Sequence, residues 1–202
     1  MHDSEILTHA AALTFAISRL LTGYQGERHA EQIKASGQLT ADAQLSLARR
    51  PVPEQEDPGV IEHWLATSLA LARHNPAVDH PLLDALQALL AHARWIKRSA
   101  AHGEDPAFVE RPRHALLLGN GSPVACPTLT LGLAVMAPET RYPFHQHPPQ
   151  EFYIVLSEGQ WYRQGDGWWQ PGMGGMLWNA PSVVHSMQSE DAPLLALWGL
   201  MH

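Results

Sequence analysis

The period of the apolar residues changes once along this chain, and that change limits what it can build. Before about residue 105 the repeat is helical. Ile6, Leu7, Ala10, Leu13, Ile17, Leu20, Leu21 and Tyr24 recur at three- and four-residue steps behind an N-cap candidate at Ser4, as one face of a helix requires. Gly26 is expected to close or kink that helix. A shorter, more polar helix is expected around Ile33, and another from the cap candidate Thr40 through Leu45 to Ala48. Arg49-Arg50-Pro51-Val52-Pro53 then reads as a loop. Ile61, Trp64, Leu65, Ser68, Leu69 and Ala72 outline a further helix that stops at Asn75-Pro76. The longest helix is expected from the Asp79 cap, with Pro81 in its first turn. Leu82, Leu83, Leu86, Leu89, Leu90, Ala93 and Trp95 form its apolar side.

After Pro106 the period falls to two. Residues 114–118 run into the turn Gly119-Asn120-Gly121, and Leu129, Leu131, Leu133 and Val135 alternate with smaller side chains. Further strands are expected over 152–156, 161–164, 168–169, 176–178, 183–187 and 194–198. Closely spaced short strands with Gly and Pro between them predict a sandwich or barrel. The expected fold class is therefore α+β, with a helical region over 1–105 and a β-barrel over 106–202.

Composition bounds the rest. At 202 residues, 45% hydrophobic and 16% charged, the chain is globular. A net charge of −7 argues against a nucleic-acid partner, because phosphate binding needs a basic face. No apolar run reaches the ~20 residues that span a bilayer, and the acidic start Met1-His2-Asp3-Ser4-Glu5 is unlike a signal peptide. The single cysteine, Cys126, reads as a buried structural thiol in a reducing cytoplasm. A small-molecule substrate is the expected partner.

Among 13 histidines, one segment concentrates the chemistry: Tyr142-Pro143-Phe144-His145-Gln146-His147-Pro148-Pro149-Gln150-Glu151-Phe152-Tyr153. Residues two apart on a strand share a face, so His145 and His147 can aim at one point. Pro148-Pro149 forces a turn, after which Glu151 and Tyr153 return on one face of the next strand. His185, behind the turn at Pro181, supplies a fourth ligand from a distant strand. Imidazole and carboxylate together suit one divalent transition metal, with Zn, Fe, Mn, Ni and Cu all open. His9, His29, His63, His74, His80, His92, His102 and His114 show no ligand spacing and read as solvated or satisfied side chains. Arg141 and Arg163 read as solvent-facing.

HxHx3E followed by Gly175, Pro181 and His185 resembles the two motifs of the cupin β-barrel. Glu139 and Val183 stand where cupins usually carry glycine, and His185 arrives one residue early. The narrower string HxHPPxExY, with a histidine 32 residues after the tyrosine, resembles the cupin-type dimethylsulfoniopropionate (DMSP) lyases. That resemblance implies metal binding by His145, His147, Glu151 and His185, with Tyr153 as catalytic base and Tyr142 binding or activating substrate. The implied reaction is β-elimination to dimethyl sulfide and acrylate. A phenolate, from a group of ordinary pKa about 10, is a far stronger base than a carboxylate, and a nearby cation makes it accessible. Aromatic faces attract a sulfonium cation, and Tyr162 and Trp198 are expected in the substrate pocket. Two other classes stay open: another metal-dependent cupin enzyme (a sugar-type isomerase or a dioxygenase), and a non-catalytic small-molecule-binding cupin. Cupins often pair, so a homodimer is an expectation of the resemblance.

Overall fold

The computed structural model describes residues 2–49, 59, 61–97 and 109–202. The expected break at 50–53, the boundary near residue 105 and His102 lie outside the described residues. Helix α1 (His2–Thr22) comes first, with Asp3 and Glu5 in the first turn, where the helix dipole favours negative charge. Helix α2 (Ala30–Ala41) follows, then β1 (Ser46–Leu47), α3 (Ile61–His74), α4 (His80–Leu90) and β2 (Arg94–Ile96). The β-rich half contains β3 (Pro112–Leu118), β4 (Val124–Ala125), β5 (Leu129–Met136), β6 (Gln150–Val155), β7 (Gln160–Arg163), β8 (Gly167–Trp169), β9 (Met176–Asn179), β10 (His185–Gln188) and β11 (Leu194–Met201).

Several local expectations are corrected. Ser4 lies inside α1, and the helix ends at Thr22, ahead of Gly26. Thr40 does not cap a helix: it is buried within α2 and its hydroxyl donates to the Ser36 carbonyl at 2.8 Å. No helix follows to Ala48, because Ser46 and Leu47 pair with Ala125 and Val124 instead. Helix α4 has 11 residues, so α1 with 21 is the longer one. Trp95 belongs to β2, where it pairs with Ala115, and not to the apolar side of α4. Thus two short strands from the helix-rich half complete sheets of the other half. Tertiary pairing overrode helical propensity at both places.

The strands form a six-stranded antiparallel sheet in the order β2-β3-β5-β11-β6-β9 and a three-stranded sheet in the order β10-β7-β8. Together they make the expected β-barrel, with the helices layered outside. Alternation assigns the two faces of the large sheet. Leu129, Leu131, Leu133, Val135, Phe152, Ile154, Leu195 and Leu197 share one core with Leu13, Ile17, Leu83 and Leu86 of the helices. The opposite face, with Ala134, Met136, Tyr153, Val155, Ala196 and Trp198, forms a second core inside the barrel, joined by Trp161 and Met187 of the small sheet. The large sheet is therefore covered on both sides. Close approach of α1 and α2 needs Gly37, since a Cβ there would stand 2.8 Å from the Thr22 backbone nitrogen. No helix among the described residues is long and apolar enough to cross a membrane.

Asp79 does cap α4, its carboxylate accepting from the Leu82 N–H at 2.9 Å. It also pairs with Arg19 at 2.5 Å, but that guanidinium is 48% exposed and such pairs contribute about 0–1 kcal/mol. The cap is the stronger of the two, at about 1 kcal/mol. Urea denaturation should show Asp79→Ala destabilised by about 1–2 kcal/mol and Arg19→Ala by a smaller amount. Equal losses would mean that the ion pair, and not the cap, matters.

Candidate active site and metal centre

The site forms where the small sheet closes over the large one. Prolines 143, 148 and 149 remove backbone donors around His145 and His147, so this segment cannot run as a continuous strand. Its backbone pairs with β10 at isolated bridges, Arg141 to Gln188 and His145 to His185. The expectation that His145 and His147 share a strand face is corrected accordingly. His145 instead faces His185, each backbone N–H donating to the other's carbonyl at 3.0 and 2.9 Å. Their rings lie 4.1 Å apart, and the His147 ring is 5.0 Å from that of His185. The Ser182 N–H donates to the His147 carbonyl at 2.9 Å and anchors that residue to the turn before β10.

Each of these imidazoles is oriented in the same way. Nδ1 of His145 contacts the Pro143 carbonyl at 2.9 Å, Nδ1 of His147 the Pro149 carbonyl at 2.9 Å, and Nδ1 of His185 the Val183 carbonyl at 2.8 Å. A carbonyl only accepts, so in the neutral form each ring carries its proton on Nδ1 and leaves a lone pair on Nε2. Metal-binding histidines are held in this manner. One ligand atom from each of the three lies within 4.8 Å of the other two. Glu151 on β6 lies beside two of them, with Oε2 3.3 Å from His147 Nε2 and 3.0 Å from His185 Nε2. The approach to His185 is too oblique for a hydrogen bond. That buried Nε2 has no hydrogen-bond partner, as expected of an atom reserved for a cation. The donor set and its tautomers therefore fit a divalent transition metal.

Electrostatics agree with this grouping. Burial would raise the Glu151 carboxyl, yet the His147 and His185 imidazoles outweigh it and hold its pKa at about 2. His145 falls to about 4, through burial first and the neighbouring His185 second. His147 moves above its ordinary value because its Nε2 pairs with Glu151.

Register sets the rest of the site. Leu116, Gly132, Trp198, Tyr153 and Leu177 form one cross-strand row on the interior face. Trp198 lies across Gly132, where a Cβ would stand 2.2 Å from the indole; only glycine leaves that ring its place. Tyr153, two residues beyond Glu151, is buried beside it. Burial, and then the Glu151 carboxylate, push the phenol well above its ordinary pKa. Tyr142, Tyr153, Trp198, His145, His147 and Glu151 border a cavity of about 170 Å³. His114, Met187 and Leu200 complete its wall, and His185 sits buried behind it.

Tyr162 is not part of that wall. Alternation along β7 turns Trp161 inward and Tyr162 outward, where its ring meets Phe144 at 4.9 Å and Trp168 at 5.5 Å. Arg163, expected in solvent, is 5% exposed; it pairs with Asp166 and donates to the Trp178 carbonyl. Arg141 is exposed as expected, with its guanidinium 5.4 Å from the Trp168 ring centre. Two residues of the site were missed. Asn179 faces Glu151 across β9 and donates to its Oε2 at 3.3 Å. His114 lies in the cavity wall, and its even parity with Leu116 on β3 was the available signal.

With this geometry in hand, comparison with known proteins locates the chain. The profile of the dimethylsulfoniopropionate lyase family matches residues 31–196. Dimethylsulfoniopropionate lyase DddQ of Ruegeria pomeroyi is 30% identical over 115 residues, covering 56% of this chain and 57% of the relative. The chain thus matches little more than half the length of that relative. The crystal structure of DMSP lyase DddQ from Ruegeria pomeroyi superposes with a TM-score of 0.65 at 23% identity, over 99% of this chain and 92% of the other. A second structure, from work on the DMSP lyases RdDddP and RnDddQII, gives 0.65 at 20% identity over 98% and 91%. Those two likenesses speak to the fold. By the span of the profile match, the chain belongs to the dimethylsulfoniopropionate lyase family.

Proposed function

We propose that the chain is a metal-dependent carbon–sulfur lyase that splits DMSP into dimethyl sulfide and acrylate. The observation that carries this reading is a group of three imidazoles, with a carboxylate and a buried phenol beside it, at the wall of one small cavity. His145, His147, His185 and Glu151 would hold one divalent ion of Zn, Fe, Mn or Ni. When bound, that ion supplies a Lewis acid for the substrate carboxylate and a positive charge that lowers neighbouring pKa values.

The residues of the chain carry out the elimination. Tyr153, as phenolate, takes the proton on the carbon α to the carboxylate. The electrons of that C–H bond become the new C=C bond, and those of the C–S bond leave with dimethyl sulfide. Acrylate and a protonated Tyr153 remain, and the phenol returns its proton to water. Tyr142 and Trp198 border the same space, and their ring faces suit the sulfonium cation at about 0.5–2 kcal/mol each. The cavity volume of about 170 Å³ is well below the roughly 300–1,000 Å³ of sites for larger ligands. That size supports a small acid over a sugar-type substrate. The single cysteine is buried and unpaired, which supports a reducing, cytoplasmic setting. A homodimer rests on the habit of cupins alone.

Two predictions test this reading. In a gas-phase assay, Tyr153→Phe should lower dimethyl sulfide release by roughly 10²–10⁴-fold with metal content unchanged. Undiminished release would remove Tyr153 as the base, and oxygen uptake by the wild-type protein would point to a dioxygenase. The second concerns pH. His147 is raised above 6.5 by Glu151, and a ligand imidazole must be neutral. Zinc affinity of the metal-free protein, titrated calorimetrically, should therefore fall as pH drops through the His147 pKa. The slope approaches about tenfold per pH unit for one displaced proton. A flat profile between pH 8 and pH 6 would exclude His147 as a ligand.

A further inference from the structure

We infer that His114 is a positioning residue for this reaction, holding the hydroxyl of Tyr142 in place at the cavity wall. The inference rests on the lyase reading for its chemistry and on the contact itself for its geometry. Tyr142 belongs to the segment that never becomes a strand, so no ladder fixes its ring. Its main chain is tied to the small sheet, with its N–H donating to the Met187 carbonyl at 2.8 Å and its carbonyl accepting from Ser186 Oγ at 2.5 Å. The far end of the side chain reaches the large sheet, where its hydroxyl lies 3.3 Å from His114 Nε2. The ring is thus held at both ends, once from each sheet.

The imidazole is itself wedged between two aromatic walls. It meets Tyr142 edge-on at 5.7 Å and 85°, and Trp198 at 5.9 Å and 73°. Space for it exists because its cross-strand partner is Ala134, which in turn pairs with Ala196. A tyrosine hydroxyl has one donor and two acceptor sites. Engagement of one of them by His114 sets the rotor. His114 is not one of the three imidazoles that group together, His145, His147 and His185, so its part in the site is separate from theirs.

A double-mutant cycle on the metal-loaded full chain decides the matter. His114→Phe should lower kcat/KM for DMSP by about tenfold, with metal content and melting temperature close to wild type. His114→Gln, which keeps a hydrogen-bonding group, should recover part of that loss. Tyr142→Phe should cost at least as much as His114→Phe, and adding His114→Phe to it should cost nothing further. Losses that multiply in the double variant would overturn the inference. NMR of the histidine ring nitrogens provides a readout independent of turnover. The His114 Nε2 resonance should move in Tyr142→Phe, and an unmoved resonance overturns the inference even in a protein that cleaves DMSP. Absence of dimethyl sulfide from wild type defeats the lyase reading, and the resonance then decides the His114–Tyr142 contact alone.

Discussion

The reciprocal backbone hydrogen bonds between His145 and His185 organise this molecule's chemistry. They join a proline-rich segment, which cannot pair continuously, to the start of β10 at the one point where both chains carry an imidazole. Without that bridge the segment carrying His145 and His147 would not be tied to His185 at the start of β10. With it, two rings lie 4.1 Å apart, and the third is tied in through Ser182. The carbonyls of Pro143, Pro149 and Val183 then set each tautomer. Backbone atoms, and not further side chains, do the orienting. A site built this way tolerates side-chain change in its surroundings and is sensitive to the path of the main chain.

The large sheet carries the remaining constraint, because both of its faces are covered. Odd-numbered residues of β5 and β11 face the helices, and even-numbered ones face the barrel. A slip of one residue would exchange the two sets completely, placing Trp198 among the helices and Leu197 in the cavity. Burial of each large apolar side chain contributes about 1.5–3 kcal/mol, so the helical layer opposes such a slip along every central strand. The N-terminal helices thus hold the register of Tyr153 and Glu151 without touching the cavity.

Much of this was legible in the residues. Alternation over 129–135 and 194–198 located the sheet, and the HxHPPxExY string located the site. Helix limits at Asp79 and Asn75-Pro76 were readable because capping and proline act locally. The errors share a physical cause. Ser46, Leu47 and Trp95 became strands only because partners distant in sequence offered backbone groups to pair with, and no local propensity carries that information. Tyr162 and His114 were misjudged on side rather than on element: both lie on strands, and only the register against the neighbouring strands says which face is the cavity. Arg163 was misjudged because its charge is compensated locally by Asp166, three residues on.

Glu151 exerts two effects that oppose each other in the chain alone. Its carboxylate lies beside the His147 and His185 imidazoles, and its negative charge adds to burial in raising the pKa of Tyr153. A phenol under that influence stays protonated and is no base. On the proposed function, a cation held by this carboxylate and the three imidazoles would offset the repulsion and make the phenolate accessible. On that reading basicity at Tyr153 would be conditional on a filled site, since burial and this carboxylate together keep the proton on the phenol otherwise.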